Sequence, residues 1–101
     1  MVWDLRGALL KKQEVETARL ADFDFRLRAR TMRLLAPIVG VDAVWLVGLI
    51  AESDDASILA RLAESLRIPS ADLARHHAAC NVQARAELVD EIGDPTPHRL
   101  A

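Results

Sequence analysis

Five arginines crowd one short stretch: Arg19, Arg26, Arg28, Arg30 and Arg33. A row of guanidinium groups can grip phosphate or carboxylate in a forked geometry that lysine cannot copy. Arg26, Arg30 and Arg33 recur at helical spacing and form the candidate anion-binding set, suited to a nucleotide or another anionic small molecule. The competing reading is a solvated helix face. Asp22 precedes Arg26 by four residues and Asp24 precedes Arg28 by four, so ordinary helix-surface pairs would neutralise part of the row. Nucleic acid fits poorly as a partner, because the chain is slightly acidic overall, no recognisable RNA or DNA signature is present, and no aromatic residue interleaves with Arg26, Arg28, Arg30 and Arg33 for stacking.

His76, His77 and Cys80 are the other residues with chemistry to offer, since imidazole and thiolate together suit zinc. A single helix supplies only part of a metal shell. Two adjacent helical residues also point about 100° apart, so both histidines cannot face inward. The favoured reading is therefore structural, with Cys80 and one histidine packed against the rest of the fold, and neither a metal nor a cofactor is expected. No glycine-rich phosphate loop, HExxH motif or nucleophile with a base and orienting acid is present, so the sequence offers no candidate for catalysis and a non-enzyme is expected. Trp3 stands near the N-terminus, where it either tucks back onto the domain or anchors in a partner's pocket, a role in which Trp is over-represented.

The elements that must hold these residues follow from composition. The chain has 101 residues, 51% hydrophobic, of which 17 are Ala and 15 Leu but only four are aromatic, favouring helices over strands. An all-α fold of one domain is expected. Cys80 is the only cysteine, which excludes an intrachain disulfide and is compatible with a reducing compartment. The longest apolar stretch, 39–51, contains Asp42 and falls far short of the ~20 residues a spanning helix needs, so no membrane insertion is expected. With no secretory signal discernible, a cytoplasmic location is the expectation. The net charge of −2 hides an asymmetry: residues 1–33 carry +3 and residues 34–101 carry −5.

Leu20, Phe23, Leu27, Leu34 and Ile38 follow the period of one helix face and predict a long helix from about Thr17 to Val39, with Pro37 near its end and Gly40 as terminator. Asp42 caps a second helix, Ala43 to about Glu52, which is apolar almost all round and so reads as central, with Trp45 in the core. Ser53-Asp54-Asp55 starts a third helix to about Leu66, whose core side is Ile58, Leu59, Leu62 and Leu66. Ser70 caps a fourth helix, with Asp72 in its first turn, running to about Ile92 before Gly93. The domain reading is an arm, 1–19, mobile or conditionally helical; a small four-helix bundle, 20–93; and a disordered tail, 94–101. Gly7 and the run Lys11-Lys12-Gln13-Glu14 weaken any isolated helix in the arm.

The segment Phe25-Arg26-Leu27-Arg28-Ala29-Arg30-Thr31-Met32-Arg33-Leu34-Leu35 resembles the ζ inhibitor subunits of bacterial F-type ATP synthases, whose first long helix carries Phe-Lys-x-x-Ala-Arg-Arg-x-Lys-Leu-Leu. Phe25, Ala29, Arg30, Leu34 and Leu35 match identically, and Arg26 and Arg33 conservatively. Weaker similarity extends over most of residues 18–90, through the helix at Ser57 to Leu66 and the one beginning at Ser70. The resemblance implies a regulatory four-helix bundle whose arm enters the catalytic head of the synthase and blocks ATP hydrolysis. It assigns the contact to Trp3, Asp4, Arg6, Leu9 and Leu10, where the family has Phe-Asp-Asp-Arg followed by spaced phenylalanines. The aromatics are replaced here and the stretch between Leu35 and Asp54 is shorter, which also fits a member that no longer inhibits. Two further readings stand beside it: the anion-binding bundle, and an adaptor for another acidic protein.

Overall fold

The computed structural model describes residues 5–95, with side chains from Thr17 to Pro95. Four helices account for nearly all of it, and no strand occurs among the described residues: α1 (Leu5–Val39), α2 (Ala43–Gly48), α3 (Asp55–Leu66) and α4 (Ser70–Ile92), with a 3-10 turn at Leu49–Ala51 extending α2. The fold is all-α, as composition indicated. Helix α1 has 35 residues, about 52 Å at 1.5 Å each, and sets the long axis of a body measuring 65 × 28 × 22 Å.

Helix α1 begins at Leu5, twelve residues ahead of the expected Thr17. An arm taken as an isolated helix must bear the nucleation cost alone. Joined to a helix already fixed by packing, each further residue adds a hydrogen bond without a new nucleus, and Ala, Leu, Lys, Gln and Glu propagate well enough to absorb Gly7. At the other end Pro37 is accommodated in the last turn. Gly40 takes φ +79°, a conformation that costs side-chain-bearing residues, and its N–H and that of Val41 both donate to the Ala36 carbonyl at 2.9 and 3.0 Å.

Asp42 caps α2 as its sequence position suggests, accepting from the Trp45 N–H at 2.9 Å. Asp54 does the same for α3 through the Ser57 N–H at 2.7 Å, and this bond holds its carboxyl below the usual carboxylate range. Arg67 closes α3 in the left-handed region at φ 54°. Ser70 differs from expectation: Pro69 occupies the cap position, Ser70 is the first helical residue, and no side chain caps α4. Proline at the boundary has no N–H to satisfy and its fixed φ leads into the helix, so Ser70 is shifted one place inward.

Helices α1 and α4 run antiparallel and form the backbone of the domain. Phe23 and Leu27 pack with Leu88 and Ala84 in one cluster. One turn further, the buried Thr31 hydroxyl donates to the Leu27 carbonyl at 2.7 Å and accepts from Asn81 Nδ2 at 3.4 Å. Beyond it Met32, Leu35 and Ala36 join Leu46, Ile50, Ile58, Leu62, Leu73 and Cys80 in the main core. The buried arc of α1 is therefore not quite the expected one: Leu20 and Ile38 are exposed and Leu34 is half-buried. Among the described side chains Phe23 is the first buried one, because α4 ends near it, and the approach of α2 on another side turns the inner face towards Met32 and Leu35. On α3, Ile58 and Leu62 are buried, Leu59 is half-buried and Leu66 sits at the exposed edge.

The position of α2 is the clearest correction. Only Leu46 of this helix is buried, followed by Ile50 in the turn; Val44 is 82% exposed and Trp45 51%. Four helices with one dominant antiparallel pair cannot surround a six-residue segment. An apolar helix therefore lies on the surface, and Trp45 is not a core residue.

Candidate functional site

The arginine row of α1 divides by partner. Arg26 pairs with Asp22 at 2.9 Å, the i,i+4 bridge its spacing suggested, with both side chains more than half exposed. Arg28 does not pair with Asp24. Its Nε donates to Asp55 Oδ1 at 2.9 Å and its Nη2 to the Ser53 carbonyl at 2.7 Å, tying α1 to the start of α3. The long-range carboxylate prevails because Asp55 is fixed in the first turn of α3 and offers a partly buried site, where the bond competes less with water. Arg30 forms a bidentate fork with Glu91 near the end of α4, Nη1 to Oε1 at 2.7 Å and Nη2 to Oε2 at 2.6 Å. This fork holds the Glu91 carboxyl below its ordinary range and raises the Arg30 guanidinium. Arg19 and Arg33 have no ion pair among the described residues.

Arg26, Arg30 and Arg33 do come together, as the candidate anion set required. With Ala29, Leu88 and Glu91 they line an open groove of about 170 Å³ between α1 and α4. Its fork is already filled, however, by the Glu91 carboxylate, and Arg26 is turned to Asp22. Arg33 alone remains without a counter-ion in the groove. An external anion would thus have to displace Glu91 to reach Arg30.

On the opposite helix, Cys80 is buried and burial pushes its thiol above its ordinary range. His77 is mostly buried while His76 is exposed, the division that helical geometry demanded. His77 Nε2 lies 3.6 Å from Asp55 Oδ2, beyond hydrogen-bond length, so Asp55 faces Arg28 on one side and His77 on the other. No group of three or more His, Cys, Asp or Glu that could hold a metal occurs among the described residues. The Arg28–Asp55 and Arg30–Glu91 ties were not foreseen; separations of 27 and 61 residues leave no local trace. Arg85 was likewise unmarked, yet its guanidinium stands 5.7 Å from the Phe23 ring centre, covering the end of the α1–α4 zipper.

Of the expected partner-contact residues, Trp3 and Asp4 lie outside the described residues, as does the tail from Thr96 onward. Arg6, Leu9 and Leu10 fall within the helical backbone of α1, with side chains outside the described set. From Thr17 to Asp22 every side chain is exposed. No helix among the described residues is long and apolar enough to cross a membrane. No known family model, curated protein or solved structure matches the chain.

Proposed function

We propose that the chain is a non-enzymatic regulatory protein of the ζ-like kind, docking on the catalytic head of an F-type ATP synthase through residues 1–19 and restraining ATP hydrolysis. The observation that carries this reading is the exposed run ahead of the packed part of α1: the helix starts at Leu5, its described side chains from Thr17 to Asp22 are all exposed, and the first buried one among those described is Phe23. Side chains exposed from Thr17 to Asp22 leave that stretch of the helix open to a partner, and binding there adds contacts without disturbing the core. The segment 25–35 that resembles the family lies in the half that packs, where Leu27 and Leu35 are buried and Arg30 grips α4. In this reading the bundle is a handle and the arm is the effector.

The test is ATP hydrolysis by the purified catalytic head with no addition, with the full chain, and with a chain lacking residues 1–19. Inhibition by the full chain alone supports the proposal; equal rates in all three sink it. A second reading, binding of a nucleotide or other anionic small molecule at Arg26, Arg30 and Arg33, draws on the groove and the unpaired Arg33. It predicts saturable NMR shifts at Ala29 and Leu88 on adding nucleotide. A third, an adaptor for a different acidic protein, predicts capture of a partner other than the synthase.

A further inference from the structure

From Ala43 to Ala51 no residue has a polar side chain, yet Val44 is the most exposed of the large apolar residues described, Trp45 is half exposed, and Gly48 and Ala51 also face solvent. A surface helix of a free-standing domain carries polar residues on its outer stripe. This one carries none, so the stripe has the composition of a covered face. Beside it, Trp45, Leu49, Ile58 and Leu62 with Arg61 and Ser65 line a depression of about 50 Å³, room for the tip of an aliphatic side chain but not for an indole.

The charges around the face say what fits it. Asp42 precedes α2, Glu52 and Asp54 follow the turn, and all three are exposed; Arg61 is the one cation between residues 41 and 66. An occupant must therefore bring aliphatic side chains flanked by cations. A two-fold contact of α2 on α2 does not, because antiparallel packing would set Asp42 of one copy against Glu52 of the other. The chain itself contains a matching segment: Leu5, Leu9 and Leu10 with Arg6, Lys11 and Lys12, and only Asp4 opposing them within residues 1–12. Helical spacing puts Leu5 with Leu9, and Arg6 with Leu10, on shared faces. That segment cannot fold back onto its own α2. It is joined through the unbroken α1, whose 35 residues hold Leu5 about 50 Å from Val39.

We propose that the protein associates with itself head to tail, residues 1–12 of one copy lying on the Val44–Trp45 face of the next. Such a contact is heterologous: each copy keeps one free arm and one free face, so assemblies grow with concentration instead of stopping at two. The acidic rim and basic segment also make the association weaken as salt screens it.

Sedimentation equilibrium of the full chain tests this with two variants. Val44→Glu puts a charge on an exposed position of the face, and the triple variant Arg6→Glu, Lys11→Glu, Lys12→Glu reverses the arm. Each alone weakens association at least about tenfold, with unchanged melting of the bundle by circular dichroism. Mixed together they recover a one-to-one dimer and nothing larger, because the mixture retains one intact arm and one intact face. A wild-type chain that stays monomeric at every concentration overturns the proposal. So does association abolished by Val44→Glu but untouched by the arm variant, which would be a two-fold α2 contact, or a mixture that recovers no dimer. If the triple variant alters the melting profile, raised salt on the wild-type chain supplies the charge test, and salt-insensitive association is then the overturning result.

Discussion

Arg28 offers a sharp division between arginines that hold the fold and those left for a partner. Replacing it with Ala removes two charge-assisted hydrogen bonds, to Asp55 at 2.9 Å and to the Ser53 carbonyl at 2.7 Å. Each such bond contributes about 1.5–3 kcal/mol when shielded. At the lower end the two bonds come to about 3 kcal/mol, and because the Arg28 and Asp55 side chains are 24% and 27% exposed water repairs roughly a third of that, leaving about 2 kcal/mol in all. For a domain of this size that lowers Tm by roughly 8–16 °C. Arg26→Ala removes a pair that is more than half exposed and costs about 0.3–0.5 kcal/mol. Arg33→Ala removes no ion pair and stays within about 0.5 kcal/mol of wild type. Urea denaturation followed by far-ultraviolet circular dichroism measures all three, and a double-mutant cycle with Asp55→Ala isolates the coupling, expected at about 1 kcal/mol or more. If Arg28→Ala lies within about 0.5 kcal/mol of wild type, or Arg33→Ala costs as much as Arg28→Ala, the assignment of roles along α1 is refuted.

Two further outcomes check the structure at other points. Leu46→Ala empties a fully buried site and costs about 2–5 kcal/mol, whereas Val44→Ala, two residues away on the exposed side, is near neutral; comparable losses in urea denaturation would mean that α2 is buried on both sides after all. The Arg30–Glu91 fork gives a pH signature, because a carboxyl whose value is lowered in the folded state stabilises above its unfolded value and loses that effect as pH falls through the folded one. The melting temperature of wild type should exceed that of Glu91→Gln above the usual value of 4.5, and the gap should close as pH falls beneath it; a gap that stays constant far below that value refutes the fork's contribution.

What could be read from the sequence was what is decided within one turn of a helix. Asp42 and Asp54 cap because a side-chain oxygen reaches an N–H three residues on, and Gly40 ends α1 because the left-handed conformation suits it; both are local facts and both are present. Burial is not local. Ala43 to Ala51 has the residue types of a central helix, but being surrounded depends on how many elements the chain has to surround it with, and α1 and α4 spend their apolar faces mainly on each other. The same distinction governs the arginines. Asp24 was the near partner for Arg28, and Asp55, 27 residues away, holds it instead, since a carboxylate fixed at a helix start and partly shielded competes better than one on a freely rotating exposed side chain. The basic front and acidic back of the sequence, which taken alone suggested an external acidic partner, are thus partly joined inside the molecule through Arg28 with Asp55 and Arg30 with Glu91. The described cations of α1 left without an ion pair are Arg19 and Arg33, one in the stretch ahead of Phe23 and one beside the groove. A partner drawn by charge to the described part of α1 therefore meets Arg19, meets Arg33, or displaces Glu91 to reach Arg30, and the pH dependence of its binding singles out the last: only that route becomes easier as Glu91 takes up a proton.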